Sequence, residues 1–387
     1  MSKKVYVEPN WRMHSGIKAQ FISPPEGYEF VLTETFSERT AKLLIKSSFS
    51  YFVREQLNKV LPPVLVRAYV QKFKSPPMAA DLTYAIHHLP FRKDPWVIEL
   101  ENVCNLTESN SAFLRRYRGF FERKFASPYC KKIIVWSDVA FRSIELNLDC
   151  STFGNKMGKV PYATTSKDGP DTPAHGGETV KLLFVNSANL QSNFRLKGGV
   201  EVLEAFSILS NTHPNLQLVI RSDVPEDVKR TYSRMRNVQF IEAVLPFAVL
   251  EKEYQSCDVF LAPGYMMAVW AILDAMSYGL PVVATDIACA GEYVEDGRTG
   301  LVINNPQQVP CYEKNLFLPP LSKLRTSVKR ADSNVVQDLV KALSILIESP
   351  QRRQEMGRAG RREVEHGRFS IARRNDQLKR ILDEATS

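Results

Sequence analysis

The sequence predicts an α/β protein of two domains, each built on a parallel sheet. Three observations carry this. The chain has 387 residues, too many for one ordinary core and suited to two. Short apolar, β-rich runs alternate with helical patterns along its whole length. Between Thr164 and Glu178 it reads TTSKDGPDTPAHGGE, a Gly-, Pro- and polar-rich stretch that cannot bury a core and marks a boundary.

In the first half the runs Val5–Glu8, Glu29–Leu32, Val64–Val70, Asp81–Ile86, Trp96–Leu100 and Lys132–Trp136 predict strands. Several are continuously apolar, as strands covered on both faces are. Helical patterns lie between them, at Ala41–Leu61 and Ala112–Ala126 for example. The second half restarts the pattern with strands at Lys181–Val185, Leu216–Arg221, Val238–Ile241, Val259–Leu261, Pro281–Ala284 and Gly300–Ile303. A helix is predicted from Gly199 to Leu209, and the chain ends in helices at Val335–Glu348, Pro350–Gly367 and Ser370–Ala385. The polar segment Pro306–Asn334 predicts a mobile inserted loop.

Composition excludes several classes. With 44% hydrophobic and 24% charged residues the chain is neither disordered nor fibrous. Its basic start has no apolar run behind it, and no stretch reaches the ~18 residues a membrane span needs, which predicts a cytoplasmic protein. The six cysteines form no C-x-x-C pair and no zinc spacing with histidine, so reduced, buried thiols are expected. The net charge of +9 favours an anionic partner. Nucleic acid is set aside because the basic residues are dispersed and no nucleic-acid module is recognisable. The pattern AFLRRYRGFFERKFA over Ala112–Ala126 leaves two alternatives. Its phenylalanines are core with solvated arginines around them, or the helix rests peripherally on an anionic membrane surface.

Two segments can hold chemistry. After the strand ending at Val185 the loop NSANLQSNFRLKGG opens a helix. Such a turn aims free backbone N–H groups and the helix dipole at one spot, which suits phosphate. Arg195 and Lys197 add charge there, and Gly198-Gly199 permits close approach. A polar loop with two solvated cations is the alternative. The second segment runs from Ala262 to Asp286, and Asp274 is the single carboxylate in an almost wholly apolar helix. A buried charge is expensive, so Asp274 needs a ligand or a neighbouring partner.

These segments resemble glycosyltransferase family 4, retaining enzymes of the GT-B fold. The resemblance lies in Leu182-Leu-Phe-Val185, in Lys197-Gly198 with the helix GVEVLEAFSIL, and in Leu216–Asp223 and Val238–Phe240. It continues through Cys257–Pro263, Leu273-Asp-Ala-Met-Ser-Tyr-Gly-Leu-Pro-Val-Val-Ala-Thr-Asp286, Gly291–Val302 and the tail Ser349–Ser370. It covers about 190 residues, and the first half matches only loosely. It implies two Rossmann-like domains facing a central cleft: residues 1–168 on the acceptor side, 169–367 binding the nucleotide-sugar, and 368–387 a helix crossing back to the first domain.

The implied activity is transfer of a hexosyl group from a UDP- or GDP-linked sugar to a glycan, lipid-linked or small-molecule acceptor, with retention. No D-x-D motif supplies a metal, and no separate cofactor is implied. Arg195, Lys197 and Gly198 would meet the phosphates, Ala243 would lie in the base pocket, and Met266 and Asp274 stand at the nucleotide-sugar positions. His87 or His88 would contact the sugar, with Glu101 facing the same cleft. The family usually places two glutamates eight positions apart; here Met266 and Asp274 occupy them. The arginine expected near Ser187 is absent, and Arg195 is the candidate in its place. The departures leave a second class open, a nucleotide-sugar-binding or scaffold protein of the same fold without turnover.

Overall fold

The computed structural model describes residues 2–8, 15–32, 79–167, 179–186, 192–242, 247–266, 268–306 and 312–387. The chain divides into two units. One comprises Met1–Tyr162, Tyr312–Pro320 and Ile371–Ser387; the other comprises Ala163–Cys311 and Leu321–Ser370.

The first unit contains β1 (Lys3–Glu8), β2 (Tyr28–Val31), β3 (Leu82–Ile86), β4 (Trp96–Leu100), β5 (Cys130–Val135) and β6 (Met157–Lys159). They pair in parallel in the order β2-β1-β3-β4-β5-β6. Every residue of β3 and β4 is buried, the reason these runs are continuously apolar rather than alternating. The core joins Trp96, Ile98, Phe121, Phe125, Ile133 and Phe153. The run Val64–Val70 and the helix Ala41–Leu61 lie outside the described residues. Strand β6 was not anticipated, because Met-Gly-Lys has neither β-propensity nor alternation; its pairing with β5 makes it a strand.

The segment expected as one helix, Ala112–Ala126, is two: Ser111–Arg116 and Arg118–Ala126, with Tyr117 at the joint in a non-helical conformation (φ −111°, ψ 21°). The Tyr117 ring lies 4.5 Å from that of Phe113, while Phe113, Phe121 and Phe125 all turn into the core. Arg115, Arg116, Arg118 and Arg123 remain exposed.

The second unit contains β7 (Val180–Val185), β8 (Leu216–Arg221), β9 (Val238–Ile241), β10 (Val259–Ala262), β11 (Val282–Thr285) and β12 (Gly300–Ile303). All pairs are parallel and the order is β12-β11-β10-β7-β8-β9. Numbered within the unit this is 6-5-4-1-2-3, the dinucleotide-binding arrangement, whose order reverses between β7 and β10. Helices Gly199–Leu209 and Ser333–Glu348 bury Leu203, Phe206, Leu339 and Leu343 in one core with Leu182, Phe184 and Leu218.

The expected mobile loop at Pro306–Asn334 is corrected in its described part. Phe317 is fully buried in the first unit's core, and Asn102 and Asn147 donate to the carbonyls of Leu316 and Asn315 at 2.8 and 2.9 Å. Leu321–Ser327 is a helix. The polar composition of the segment concealed its buried apolar residues, Phe317, Leu324 and Val328.

The final helix, Ile371–Ala385, belongs to the first unit. Its Arg374 is buried beside Glu99, Tyr84 and Tyr162, and Glu99 accepts hydrogen bonds from both tyrosine hydroxyls, at 2.6 and 2.9 Å. A buried carboxylate keeps its charge cheaply only while a cation lies near. Replacing Arg374 by Ala should therefore cost about 3–5 kcal/mol in chemical denaturation. Adding Glu99→Gln should recover part of that loss; a double variant as unstable as the single one would refute the pairing. Among the described residues no helix is long and apolar enough to cross a membrane.

Candidate functional site

Ligands of such sheets bind outside the carboxyl ends of the strands, where the order reverses. In the second unit that point lies beyond β7 and β10. Residues 187–191, directly after β7, lie outside the described residues. A short helix, Ser192–Leu196, follows, and Lys197-Gly198 turns the chain into Gly199–Leu209. Beyond β10 comes the turn Pro263–Met266.

The two turns meet backbone to backbone. Gly198 has φ 84°, and a Cβ there would lie 2.3 Å from the Pro263 carbonyl oxygen; a Cβ on Gly264 would lie 3.0 Å from the Lys197 backbone. Glycine is thus required by the chain's own packing, not solely by a ligand. Hydrogen bonds fix the contact. The Tyr265 N–H donates to the Leu196 carbonyl at 2.9 Å, and the Thr285 hydroxyl donates to the Gly264 carbonyl at 2.7 Å. The Lys197 Nζ donates to the Met266 carbonyl at 3.3 Å. So Lys197, Gly198 and Met266 are brought together, and the ammonium is half-buried at the mouth of the reversal point.

Arg195 turns elsewhere, pairing through Nη2 with Asp227 and reaching the Lys329 carbonyl at 3.4 Å. Ala243 lies outside the described residues. Asp274 sits in the helix Val269–Ser277. Burial pushes its carboxyl up to about 6; Lys167 opposes the shift and Glu251 adds to it. Among the described residues no hydrogen bond reaches its side chain, and the charge that eases its burial is that of Lys167, which pairs with Glu251 at 3.8 Å.

In the first unit the strand order reverses between β1 and β3, and the remaining candidates cluster at the carboxyl ends of β1, β3 and β4. His88 is buried, with Nδ1 3.0 Å from the Ile86 carbonyl and Nε2 3.3 Å from Glu8 Oε1. Both ring nitrogens thus have a polar neighbour within the protein. Arg92 donates to the other Glu8 oxygen at 2.9 Å. His87 takes a left-handed backbone, φ 57°, uncommon for a non-glycine residue. Its Nε2 is 3.8 Å from Glu101 Oε1, beyond hydrogen-bond reach, and has no hydrogen-bond partner among the described residues. His88 is thus locked into the protein, while His87 keeps an unused nitrogen.

Glu8, Arg92, Tyr265 and Glu201 were not read as site residues. Glu8 ends a strand and Glu201 shares a largely apolar helix with Glu204, so the signal is only a carboxylate among buried neighbours.

Asp274 gives a stability test. Its folded-state pKa is raised, so its contribution is fully present below the ordinary carboxyl value of 3.8 and is lost as pH rises through about 6. Asp274→Asn, which stays neutral, should gain about 2 kcal/mol over the native chain at pH 8 relative to any difference between them at about pH 3, allowing for the solvent contact Asp274 retains. Urea denaturation at the two pH values checks this; the same difference between the proteins at both would contradict it.

A profile of the glycosyl transferases group 1 family matches residues 181–310, the segment holding both turns and Asp274. Among curated proteins none matches the chain. Among solved structures, Anabaena HepE in complex with UDP and glucose superposes with a TM-score of 0.60 at 14% identity, covering 99% of this chain and 100% of that one. A glycosyltransferase from Rickettsia africae gives 0.59 at 14%, covering 99% and 98%. Staphylococcal (S. aureus) TarM gives 0.55 at 11%, and the match spans 84% of this chain and 58% of TarM. The chain has the GT-B glycosyltransferase fold, and its second unit carries the group 1 glycosyl transferase pattern across residues 181–310.

Proposed function

We propose that the chain transfers a sugar from a nucleotide diphosphate-sugar to an acceptor, with the nucleotide held by the second unit. The observation that carries this is the Lys197 turn, packed on the Met266 turn at the point where the sheet order reverses. A half-buried ammonium beside a helix N-terminus suits a diphosphate. The profile match over the same residues and the UDP complexes of HepE support the reading.

Lys197 contacts the phosphates and Asp274 accepts hydrogen bonds from the ribose. The donor is UDP- or GDP-linked, transfer proceeds with retention, and positive charge at the turn takes the place of a metal at the leaving diphosphate. Arg195 joins only by exchanging Asp227 for phosphate. On the acceptor side the unused nitrogen of His87 favours it over His88 as the sugar contact, with Glu101 beside it. A second reading, a nucleotide-sugar-binding protein without turnover, is favoured by one observation: at Met266 the group meeting Lys197 is a backbone carbonyl, where the family resemblance expects a glutamate. Product formation with UDP- and GDP-sugars separates the two.

Hydrogen bonds to charged groups contribute about 1.5–3 kcal/mol, so Lys197→Ala should weaken nucleotide binding roughly tenfold to a hundredfold. A thermal-shift panel of UDP, GDP, ADP and their sugars selects the ligand by mass action. Calorimetry on native and variant protein then tests the site. Undiminished affinity in folded Lys197→Ala removes the phosphate from this turn.

The exposed arginines 115, 116, 118 and 123 lead us to propose electrostatic contact with an anionic membrane surface, without insertion of the buried phenylalanines. Co-sedimentation with anionic but not neutral vesicles, abolished by moderate salt, is expected; binding to both or to neither ends the idea.

A further inference from the structure

Glu201 is fully buried in the first turn of Gly199–Leu209, between Val200 and Val202. Its Oε1 accepts from the Tyr265 hydroxyl at 2.8 Å and from the Asp332 N–H at 3.1 Å. Its Oε2 is buried with no hydrogen-bond partner among the described residues. The titratable groups facing it are Tyr265 from the turn after β10, Asp332 ahead of Ser333–Glu348, Tyr232 from Glu226–Tyr232 and Glu204 on its own helix. None is a cation. Burial, eased by the Tyr265 bond, pushes its carboxyl up to about 7. A half-satisfied carboxyl is costly in such a place, and an apolar side chain would serve the helix better.

What the carboxyl does is join segments. Tyr265, itself fully buried, is held at both ends: its N–H by Leu196 and its hydroxyl by Glu201. Those two anchors flank the Lys197-Gly198 turn. The residue after Tyr265 is Met266, whose carbonyl receives Lys197 Nζ. We propose that Glu201 and Tyr265 are positioning residues that clamp the Met266 turn across the Lys197 turn and so fix the ammonium where a nucleotide diphosphate is received. The inference rests on the nucleotide reading for its ligand, but the clamp is a property of the ligand-free protein. Asp332 ties the start of the helix Ser333–Glu348 to the same oxygen.

The test uses the full chain with Tyr265→Phe, Glu201→Leu and Glu201→Gln. Phe keeps the ring and removes one hydroxyl; Leu removes the acceptor; Gln keeps it. Hydrogen exchange in ligand-free protein and calorimetric UDP affinity are read at about pH 8. Tyr265→Phe and Glu201→Leu should each speed exchange about tenfold in both peptides, 196–201 and 263–266, and weaken UDP about tenfold. Glu201→Gln should stay within about threefold of native in both readouts. Native exchange in folded Tyr265→Phe overturns the clamp, as does a loss in Glu201→Gln equal to that in Glu201→Leu, which marks a bulk stability role. A native protein that ignores both UDP and GDP while exchange responds as described upholds the clamp and ends the nucleotide reading. UDP binding unchanged in Tyr265→Phe does the reverse.

Discussion

The contact between the Lys197-Gly198 turn and the Pro263–Met266 turn is the constraint on which the second unit's chemistry depends. Two backbones approach so closely that neither Gly198 nor Gly264 could carry a side chain without something shifting. That closeness follows from topology. β7 and β10 are adjacent parallel strands, so the chain leaving each emerges side by side at one edge. The family-like motif in the sequence is thus the local signature of a packing requirement, and the positive charge is placed by that packing.

The two carboxyls near this edge answer burial differently. Among the described residues, Asp274 accepts no hydrogen bond and leans on the charge of Lys167, while Glu201 accepts two hydrogen bonds and has no cation facing it. Both are pushed toward neutral pH by loss of solvent. Both therefore weaken the fold as they ionise, which is expected of groups kept for what they bind or hold rather than for stability.

The fold was legible because its evidence was repetitive. Six parallel strands in the second unit show as short apolar runs, and each run was found within a residue or two. What escaped were features with no period. β6 is a strand only because β5 offers it an edge. Phe317 lies in a polar segment, and the asparagines that hold its neighbours, Asn102 and Asn147, are more than 150 positions away in sequence. Tyr117 interrupts a helix with a non-helical backbone (φ −111°, ψ 21°) that no residue type there announces. At the site, Lys197, Gly198 and Met266 could be found because they lie in motifs at strand ends. Glu8 and Glu201 could not, since a sequence does not say which carboxylates face a hydroxyl and which face water.

His87 and His88 show how structure resolves what spacing left equal. Adjacent residues at the end of β3 diverge sharply, because the left-handed backbone of His87 sends consecutive side chains apart. His88 goes inward, where a carbonyl and Glu8 occupy both of its nitrogens, and Arg92 balances the charge of Glu8. A ring so occupied has no donor left for a substrate. His87 is held through its backbone instead, with its N–H bonded to the Glu99 carbonyl at 2.9 Å. The imidazole Nε2 thus remains uncommitted with a carboxylate 3.8 Å away. Strain of this kind persists only where the surrounding structure determines it. Here the neighbouring constraints are the His87 N–H bond to the Glu99 carbonyl and, one residue on, the Glu8–His88–Arg92 cluster.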